Sequence, residues 1–326
     1  MEHFVQEINR KLRIGWNPIT EKAAEHSAQS ILEGISHYKS TFMPQRPDSV
    51  RTYKSVLNMF QQWLVSNGLH KLSCASFTKD HAVQFLAEMM RHKNLKPRTY
   101  NNYMNVLRTV FTRLVEQQYA VANPFSEMKK RRTTEKNRQV IPDKLLFEII
   151  TYFELKNPNF ELICLLIMHC GIRPTEICAL TPANIRPDAG VISFHSNQTK
   201  NKKSEIVTVP DHLMQRLVAH AKNAHANSFL FAKDNGLNPG KHHLNPRRLA
   251  KIWDAMRIKL DIPEEYKLYS LKDTGATKLA YLLQPKELQE QMRHSSLTIT
   301  QVYLDTARPI ANKNIQSIDL IKRIFH

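Results

Sequence analysis

The chain has 326 residues and a formal net charge of +18, because 47 Lys and Arg side chains outnumber 29 Asp and Glu. At roughly 150 residues per domain this length predicts two domains, and a hydrophobic content of 42% excludes wholesale disorder. A surplus this large indicates a polyanionic partner, either nucleic acid or an anionic membrane surface. Eight glycines argue against a dinucleotide fold, and the phosphate-loop pattern G-x-x-x-x-G-K-S/T is absent.

The sequence favours nucleic acid over the membrane. Its longest aliphatic run, 162–168, is far shorter than the roughly 20 residues that span a bilayer. The N-terminus has no secretory pattern. The four cysteines lack C-x-x-C spacing, and three of them, Cys164, Cys170 and Cys178, lie in apolar helical segments, as buried free cysteines do. A zinc site formed by these cysteines and some of the histidines is a minor alternative, because the closely paired ligands that such sites use are missing. We therefore expect a reduced, cytoplasmic protein with no metal.

The first part of the chain reads as a short leader followed by a helical domain. Residues 1–44 hold two short helical patterns, the second near 20–38, and look too few for a domain. From Pro47, apolar side chains recur at helical spacing, and two further helices follow, after Thr78 and from Pro97. Asn123 and Pro124 end the last helix. We predict an all-helical domain at 45–126.

A basic segment follows at 127–140. Six cations, Lys129, Lys130, Arg131, Arg132, Lys136 and Arg138, stand there against two glutamates. On its own this composition indicates a solvated linker. Between two domains it can also lie along a phosphate backbone, where each neutralised phosphate adds salt-sensitive affinity. A nuclear-import signal is a third alternative without other support. Our DNA-binding candidates are Lys129, Lys130, Arg131, Arg132 and Arg98.

The rest of the chain, 141–326, is predicted to be a mixed α/β domain. Two strands, 191–194 and 206–209, flank a polar turn. Helices are predicted at 143–155, 159–170, after Pro174, and at 211–223, 245–259, 270–283, 285–292, 297–303 and 314–325. No internal repeat is visible.

Two short stretches of this domain carry cations in positions suited to phosphate. An apolar helix breaks at Gly171, and Pro174 begins the next helix, so we expect Arg173 to project beside the free N–H groups at the start of that helix. A guanidinium next to a helix N-terminus is a suitable binding site for a phosphate. The simpler alternative is that Arg173 only pairs with Glu176. Lys200 lies in the turn between the two strands and can reach a DNA groove or a leaving oxygen, although turn lysines are usually just solvated.

Two further stretches complete the pattern: 269–277, with Lys272 at its centre, and 293–303, where His294 precedes Tyr303 by nine residues. The ordered set of four motifs resembles the tyrosine recombinase (phage integrase) family. Segment 47–125, with its Thr-Tyr helix openings and closing Asn-Pro, is similar to that family's core-binding domain.

The resemblance implies a mainly α fold with a small β-sheet. It implies a two-domain DNA clamp, with a helical, SAM-like core-binding domain and a mixed α/β catalytic domain that ends in an exchange helix. The implied activity is that of the integrase of a phage or mobile element, which cleaves and rejoins DNA through a 3′-phosphotyrosine. Implied partners are double-stranded DNA attachment sites, a homo-tetramer formed by C-terminal helix exchange, and accessory DNA-bending proteins. A bacterial, nucleoid-associated location follows, and no cofactor is expected.

Catalytic roles are carried over by position. Tyr303 would be the nucleophile, Arg173 would clamp the phosphate, Lys200 would protonate the leaving 5′-oxygen, and His294 would bind phosphate and manage protons. A phenol with a pKa near 10 is a poor nucleophile at neutral pH, so it needs cations that stabilise the phenolate and the phosphorane. A phosphotyrosine conserves the bond energy, so neither ATP nor a metal is required.

The third stretch departs from the family pattern His-x-x-Arg. Tyr269 stands at the His position and Lys272 at the Arg position, and lysine keeps the charge without the bidentate fork. One interpretation is an active subgroup; the other is a weakened DNA-binding regulator. Retention of the other motif residues favours activity. We expect Glu176 to orient the pocket and Asp273 to partner Lys272 or Arg173.

Three questions remain open at this level. A type IB topoisomerase shares the chemistry, although the core-binding domain makes it the weaker alternative. The leader looks too short to fold as the arm-binding domain of many integrases. The apolar stripe Ile315, Ile318, Leu320, Ile321 and Ile324 can pack on its own domain or dock on a neighbouring protomer.

Overall fold

The computed structural model describes residues 29–92, 94–133, 138–196, 199, 203–233 and 236–307. Predictions for the first 28 residues, for Lys200 and for the C-terminal stripe fall outside these residues. The chain divides into two units, Met1–Glu135 and Lys136–His326.

The first unit is helical. The α-helices in its described residues are α1 (Ile31–Thr41), α2 (Pro47–Ser66), α3 (Lys79–His92) and α4 (Pro97–Glu116). Proline occupies the first turn of α2 and of α4, where its missing N–H leaves no helical bond unmade. A capping box between Ser30 and Glu33 starts α1. The helices predicted from Pro47, after Thr78 and from Pro97 are present.

Aromatic rings fill the core of this unit. Phe60 lies against Phe77, Phe85, Phe111 and Phe125, with ring centroids 5.0–6.5 Å apart and planes 69–86° from each other. Such edge-to-face pairs add to the free energy of burial. The four helices therefore share one core.

α1 precedes the predicted start of the helical domain at residue 45 but packs into that domain's core. Ile31, Ile35 and Tyr38 of α1 are buried in the same core as the Phe60 cluster. This helix was assigned to the leader because its polar composition hides a stripe of only three buried large side chains.

The second unit is mixed α/β. Where the structure describes this unit, its α-helices are α5 (Asp143–Lys156), α6 (Pro158–Cys170), α7 (Pro174–Ile177), α8 (Asp211–Ala221), α9 (Pro246–Lys259), α10 (Ser270–Leu279), α11 (Pro285–Met292) and α12 (Leu297–Ala307). In the described part, β1 (Ile185–Arg186), β2 (Val191–Phe194) and β3 (Glu205–Thr208) form an antiparallel sheet in that order. Ile192 pairs with Ile185 on one side and with Val207 on the other. The sequence predicted β2 and β3 but missed β1, which has two residues.

The close packing of α10 on α6 positions the candidate site. α6 is apolar nearly all round and ends at Gly171, whose φ of +60° favours glycine. α10 crosses it at Gly275, where an added Cβ would lie 1.8 Å from the carbonyl oxygen of Met168. Lys272 and Asp273 of α10 are thereby brought beside the end of α6.

The cysteines are buried and free. Burial raises the pKa of Cys74, Cys170 and Cys178 to about 12, so these thiols stay protonated and inert. The interpretation of Cys164, Cys170 and Cys178 as small buried hydrophobes is confirmed. Within the described ranges, the helices are all too short or too polar to cross a membrane.

Candidate active site

Arg173 and Glu176 form the first part of the site. Arg173 caps α7, and Glu176 accepts hydrogen bonds from its backbone N–H at 2.9 Å and from its Nη1 at 2.7 Å. Glu176 is 1% exposed. Burial raises the pKa of this carboxyl, but Arg293 and Arg173 outweigh burial and hold the pKa below its usual value. Glu176 is therefore an ionised anchor that orients Arg173.

Arg293 is a site residue that the sequence prediction missed. Its side chain is 3% exposed, and its Nη2 lies 2.6 Å from Glu176 Oε2. Nη1 lies 3.2 Å from Glu205 of β3, and the guanidinium stacks 4.6 Å from the ring of Phe194 of β2. Arg293 thus ties the β2–β3 hairpin to the carboxylate that holds Arg173.

The backbone of Arg293 is unusual as well. Its φ is +53°, a left-handed conformation that costs a non-glycine residue about 1 kcal/mol or more. The position of Arg293 directly before His294 was the one sequence feature that could have indicated a role in the site. A motif does not show, however, that the side chain points into the protein toward Glu176. A strained, buried arginine at the end of α11 indicates that the guanidinium is needed there.

Lys272 contacts protein carbonyls. Its Nζ donates to Gly171 O at 2.5 Å and to Met292 O at 3.3 Å, and the residue is 2% exposed. Burial, followed by the charges of Arg173 and Arg293, lowers the pKa of Lys272 to about 7. Lys272 thus joins the turn before Arg173 to the turn that carries Arg293.

Tyr303 is buried on α12 with its hydroxyl bonded. It is 4% exposed, and its Oη donates to Asp273 Oδ1 at 2.6 Å. The Arg138 guanidinium lies 3.9 Å from the centre of the Tyr303 ring and 3.7 Å from the same Asp273 oxygen. Burial and the Asp273 carboxylate raise the pKa of Tyr303, while Arg138 lowers it. The phenol is protonated in this state.

Two expectations change here. We expected the Asp273 carboxylate to partner Lys272 or Arg173; its charge does raise the pKa of Lys272, but its hydrogen bond is with Tyr303 and its ion pair with Arg138, because α10 turns it toward α12. Arg138 was counted as part of the basic linker. The Ile141 N–H donates to Thr274 Oγ1 at 2.9 Å, which fixes this part of the chain along α10. Residues 138–141 have no apolar periodicity that would predict their packing along α10.

His294 and Tyr269 flank these groups. The His294 ring lies parallel to the Tyr303 ring, with centroids 5.7 Å apart, and its Nδ1 is 2.9 Å from Thr300 Oγ1. Burial and the neighbouring cations Lys272, Arg138 and Arg173 lower the pKa of His294 to about 4, so the ring is neutral at pH 7. Burial raises the pKa of Tyr269, although Arg173 opposes this, so Tyr269 is a neutral phenol.

Two family models together match most of the chain, and one of them covers nearly all of these site residues. The phage integrase family matches residues 143–308, and the phage integrase N-terminal SAM-like domain matches residues 35–121. The chain belongs to the phage integrase family. The predicted resemblance is confirmed, and this family member has the predicted mainly α fold with a small sheet.

Relatives and solved structures agree with this assignment. A tyrosine recombinase of Pseudothermotoga lettingae is 22% identical over 85% of the chain and 93% of its own length. Tyrosine recombinase XerA of Pyrococcus furiosus is 24% identical over 76% of the chain and 83% of its own length. The Tn1549 transposon integrase in complex with circular intermediate DNA is similar with a TM-score of 0.66, 16% identity and coverage of 89% and 98%. A lambda integrase dimer bound to a COC′ core site has a TM-score of 0.70, 12% identity and coverage of 97% and 89%.

The remaining candidates of this integrase-family chain lie elsewhere. Lys200 is outside the described residues, but neighbouring Thr199 is buried, and its Oγ1 accepts from the Lys203 N–H at 3.2 Å and donates to the Lys203 carbonyl at 2.7 Å. These bonds close the loop between β2 and β3.

The DNA-binding candidates lie in the first unit, beside α4. Arg108 donates to Phe125 O at 2.9 Å and to Met128 O at 2.6 Å, and Asn101 brackets the backbone of Arg131. The Arg131 guanidinium stacks 4.7 Å from the Tyr100 ring. The first half of the basic segment is therefore fixed on α4. The side chains of all five DNA-binding candidates are exposed: Lys129, Lys130, Arg131, Arg132 and Arg98.

Proposed function

We propose that this chain is a site-specific DNA recombinase, of a phage or mobile element, that cleaves and rejoins duplex DNA through a 3′-phosphotyrosine at Tyr303. One observation carries the proposal. A buried tyrosine, a neutral histidine stacked on it and a group of buried cations are assembled by elements that occupy the family's motif positions.

The chemistry follows from the charges. Tyr303 Oη attacks the scissile phosphorus, and the bond from phosphorus to the 5′-oxygen breaks. Negative charge grows on the non-bridging oxygens, and preorganised cations stabilise it best where water is excluded. Arg173, held by Glu176, supplies a planar guanidinium for two of those oxygens. Lys200 is proposed to protonate the departing 5′-oxygen.

His294, Tyr269 and Lys272 complete the proposed pocket. Because His294 is neutral at pH 7, it would bind the phosphate through an N–H group or relay a proton as an uncharged ring. Tyr269 can donate a hydrogen bond where the family has histidine. Lys272 would hold the Arg173 and Arg293 turns in register, which supports the interpretation of an adapted and active subgroup.

The exposed cations beside α4 are proposed to bind the DNA backbone. Lambda integrase has been solved as a tetramer bound to a Holliday junction, with a TM-score of 0.68 to this chain. By analogy, we propose a homo-tetramer on paired attachment sites, joined through the C-terminal segment, in a bacterial cell at the nucleoid.

A trapping experiment tests the function. Duplexes that bind the full chain are selected from a randomised library and rebuilt with a nick next to the cleavage position, so that cleavage cannot be reversed. We expect an SDS-resistant protein–DNA adduct that disappears in Tyr303→Phe and persists in Tyr281→Phe, a control at an exposed tyrosine. Tight, salt-dependent binding without an adduct would identify a DNA-binding regulator instead. Relaxation of supercoils without sequence preference would identify a topoisomerase.

A further inference from the structure

Cleavage at Tyr303 requires a destination for the phenol proton. A phenol with a pKa near 10 is almost fully protonated at neutral pH, and burial raises the pKa of Tyr303 further. Attack on phosphorus therefore needs a group that removes this proton as the new bond forms.

The structure places one such group on the hydroxyl. Tyr303 Oη and Asp273 Oδ1 are 2.6 Å apart, within the range of a strong hydrogen bond to a carboxylate, and both residues are buried. The acceptor atom of a general base must lie within about 2.6–3.2 Å of the heavy atom that carries the proton, and the contact between Asp273 Oδ1 and Tyr303 Oη meets that requirement.

Neighbouring titratable groups are oriented differently. The His294 ring lies parallel to the Tyr303 ring, at 8°, and its Nδ1 is bonded to Thr300 Oγ1. Lys272 Nζ donates hydrogen bonds to the carbonyl oxygens of Gly171 and Met292, and in the described part of the chain the Tyr303 hydroxyl is not among its hydrogen-bond partners.

We propose that Asp273 is a catalytic residue: its carboxylate takes the Tyr303 proton during strand cleavage and returns it during rejoining. The inference rests on the proposed function. In cleavage, the bond from Oη to phosphorus forms, the bond from phosphorus to the 5′-oxygen breaks, and the proton moves from Oη to Oδ1. The general acid of the proposed function protonates the 5′-oxygen. In rejoining, the 5′-hydroxyl attacks phosphorus and returns its proton to the general acid, the bond from phosphorus to Oη breaks, and the departing phenolate recovers its proton from Asp273.

Arg138 supports this step. The guanidinium faces both members of the pair, at 3.9 Å from the Tyr303 ring centre and 3.7 Å from Asp273. A cation there favours the phenolate as the proton leaves. Among the described residues, Lys272 of α10 and Tyr269 at its start also interact with Asp273, and the ring of His294, between α11 and α12, stacks on Tyr303.

The opposite role makes the opposite prediction. If the bond to Asp273 only restrained Tyr303 in a resting state, its removal would release the nucleophile and speed cleavage. If Asp273 only positioned the ring, its removal would slow cleavage equally at every pH. The direction and the pH dependence of the effect separate these roles from that of a base.

The experiment measures single-turnover cleavage of the nicked, library-selected duplex from pH 6 to pH 10. Wild type is compared with Asp273→Asn, which keeps the shape and removes the acceptor charge. Asp273→Ser provides a second variant without a carboxylate, and Asp305→Asn is the matched control, an exposed aspartate on α12. Melting temperature and DNA affinity are recorded for each protein.

We expect both Asp273 variants to bind DNA as wild type does and to cleave at least about a hundredfold more slowly at pH 7. The deficit should shrink by about tenfold per pH unit as hydroxide replaces the lost base. An equal or faster rate in both Asp273 variants, or a deficit that is constant with pH, would overturn the inference while wild type still forms its adduct. Absence of the adduct in wild type would instead refute the proposed function.

Discussion

Arg173 and Arg293 donate to the two oxygens of one buried carboxylate, that of Glu176, at 2.7 and 2.6 Å. The first arginine follows α6, and the second ends α11 directly before His294. Glu176 therefore couples the cation proposed to clamp the phosphate to the segment that carries the motif histidine.

This coupling predicts a large effect of Arg293→Gln on stability. The change removes the Arg293 guanidinium from its ion pair with Glu205. It also removes one of the two guanidinium groups that contact Glu176, a carboxylate whose residue is only 1% exposed. Removing one partner of a buried ion pair costs about 3 kcal/mol or more. Urea denaturation should show this loss, whereas Arg186→Gln, at an exposed arginine of β1, should stay within about 0.5 kcal/mol of wild type. Equal stability of the two variants would show that Arg293 does not hold the site together.

Restoring arginine at position 272 should not speed cleavage. The Lys272 ammonium lies 2.5 Å from Gly171 O, and the guanidinium groups of Arg173 and Arg293 already act on it. Lys272→Arg forces a larger cation into this space, and overpacking costs about 1–3 kcal/mol. We expect a lower melting temperature and no gain in single-turnover rate on the nicked duplex. A tenfold gain would instead show that the lysine is a handicap.

Lys272 also predicts a pH dependence of stability. Its pKa is about 7 in the fold and 10.5 ordinarily, so between these values the unfolded chain holds a proton that the folded chain has released. Unfolding free energy should therefore rise with pH over this window, by up to about 1.4 kcal/mol per pH unit, relative to Lys272→Met. Below pH 7 the lysine is charged in both states and the difference should level off. Denaturation of both proteins from pH 6 to pH 9.5 measures it, and a flat difference would contradict burial of the ammonium.

The crossing of α6 and α10 predicts that Gly275 tolerates no side chain. A Cβ at this position would meet the Met168 carbonyl at 1.8 Å, and that atom belongs to the backbone and cannot rotate away. Gly275→Ala should cost at least about 3 kcal/mol and lower the yield of folded protein. Gly68→Ala is the control, because its Cβ meets nothing within 4 Å and only its positive φ adds strain, about 1 kcal/mol. Similar melting temperatures for the two variants would refute this packing.

The sequence predicted which residues carry the chemistry of the site better than it predicted how their side chains are arranged. Tyr303, His294 and Arg173 are recognisable because motif spacing carries them, and β2 and β3 because their apolar runs do. Arg293 and Arg138 were not assigned to the site because their side chains act through packing against β2 and α12, which no local periodicity reports. Asp273 was placed in the pocket, but its hydrogen bond to Tyr303 was not predicted, since the direction in which α10 turns it depends on the crossing at Gly275. β1 was missed because two residues are too few for a strand pattern.

The central claim is that Tyr303 becomes covalently attached to DNA. The most direct measurement is mass spectrometry of the trapped adduct after proteolysis and nuclease digestion. We predict a 3′-linked nucleotide phosphate on the peptide that contains Tyr303, and a free 5′-hydroxyl on the released strand. A nucleotide on any other residue, or a 5′-linked phosphate on Tyr303, would contradict it.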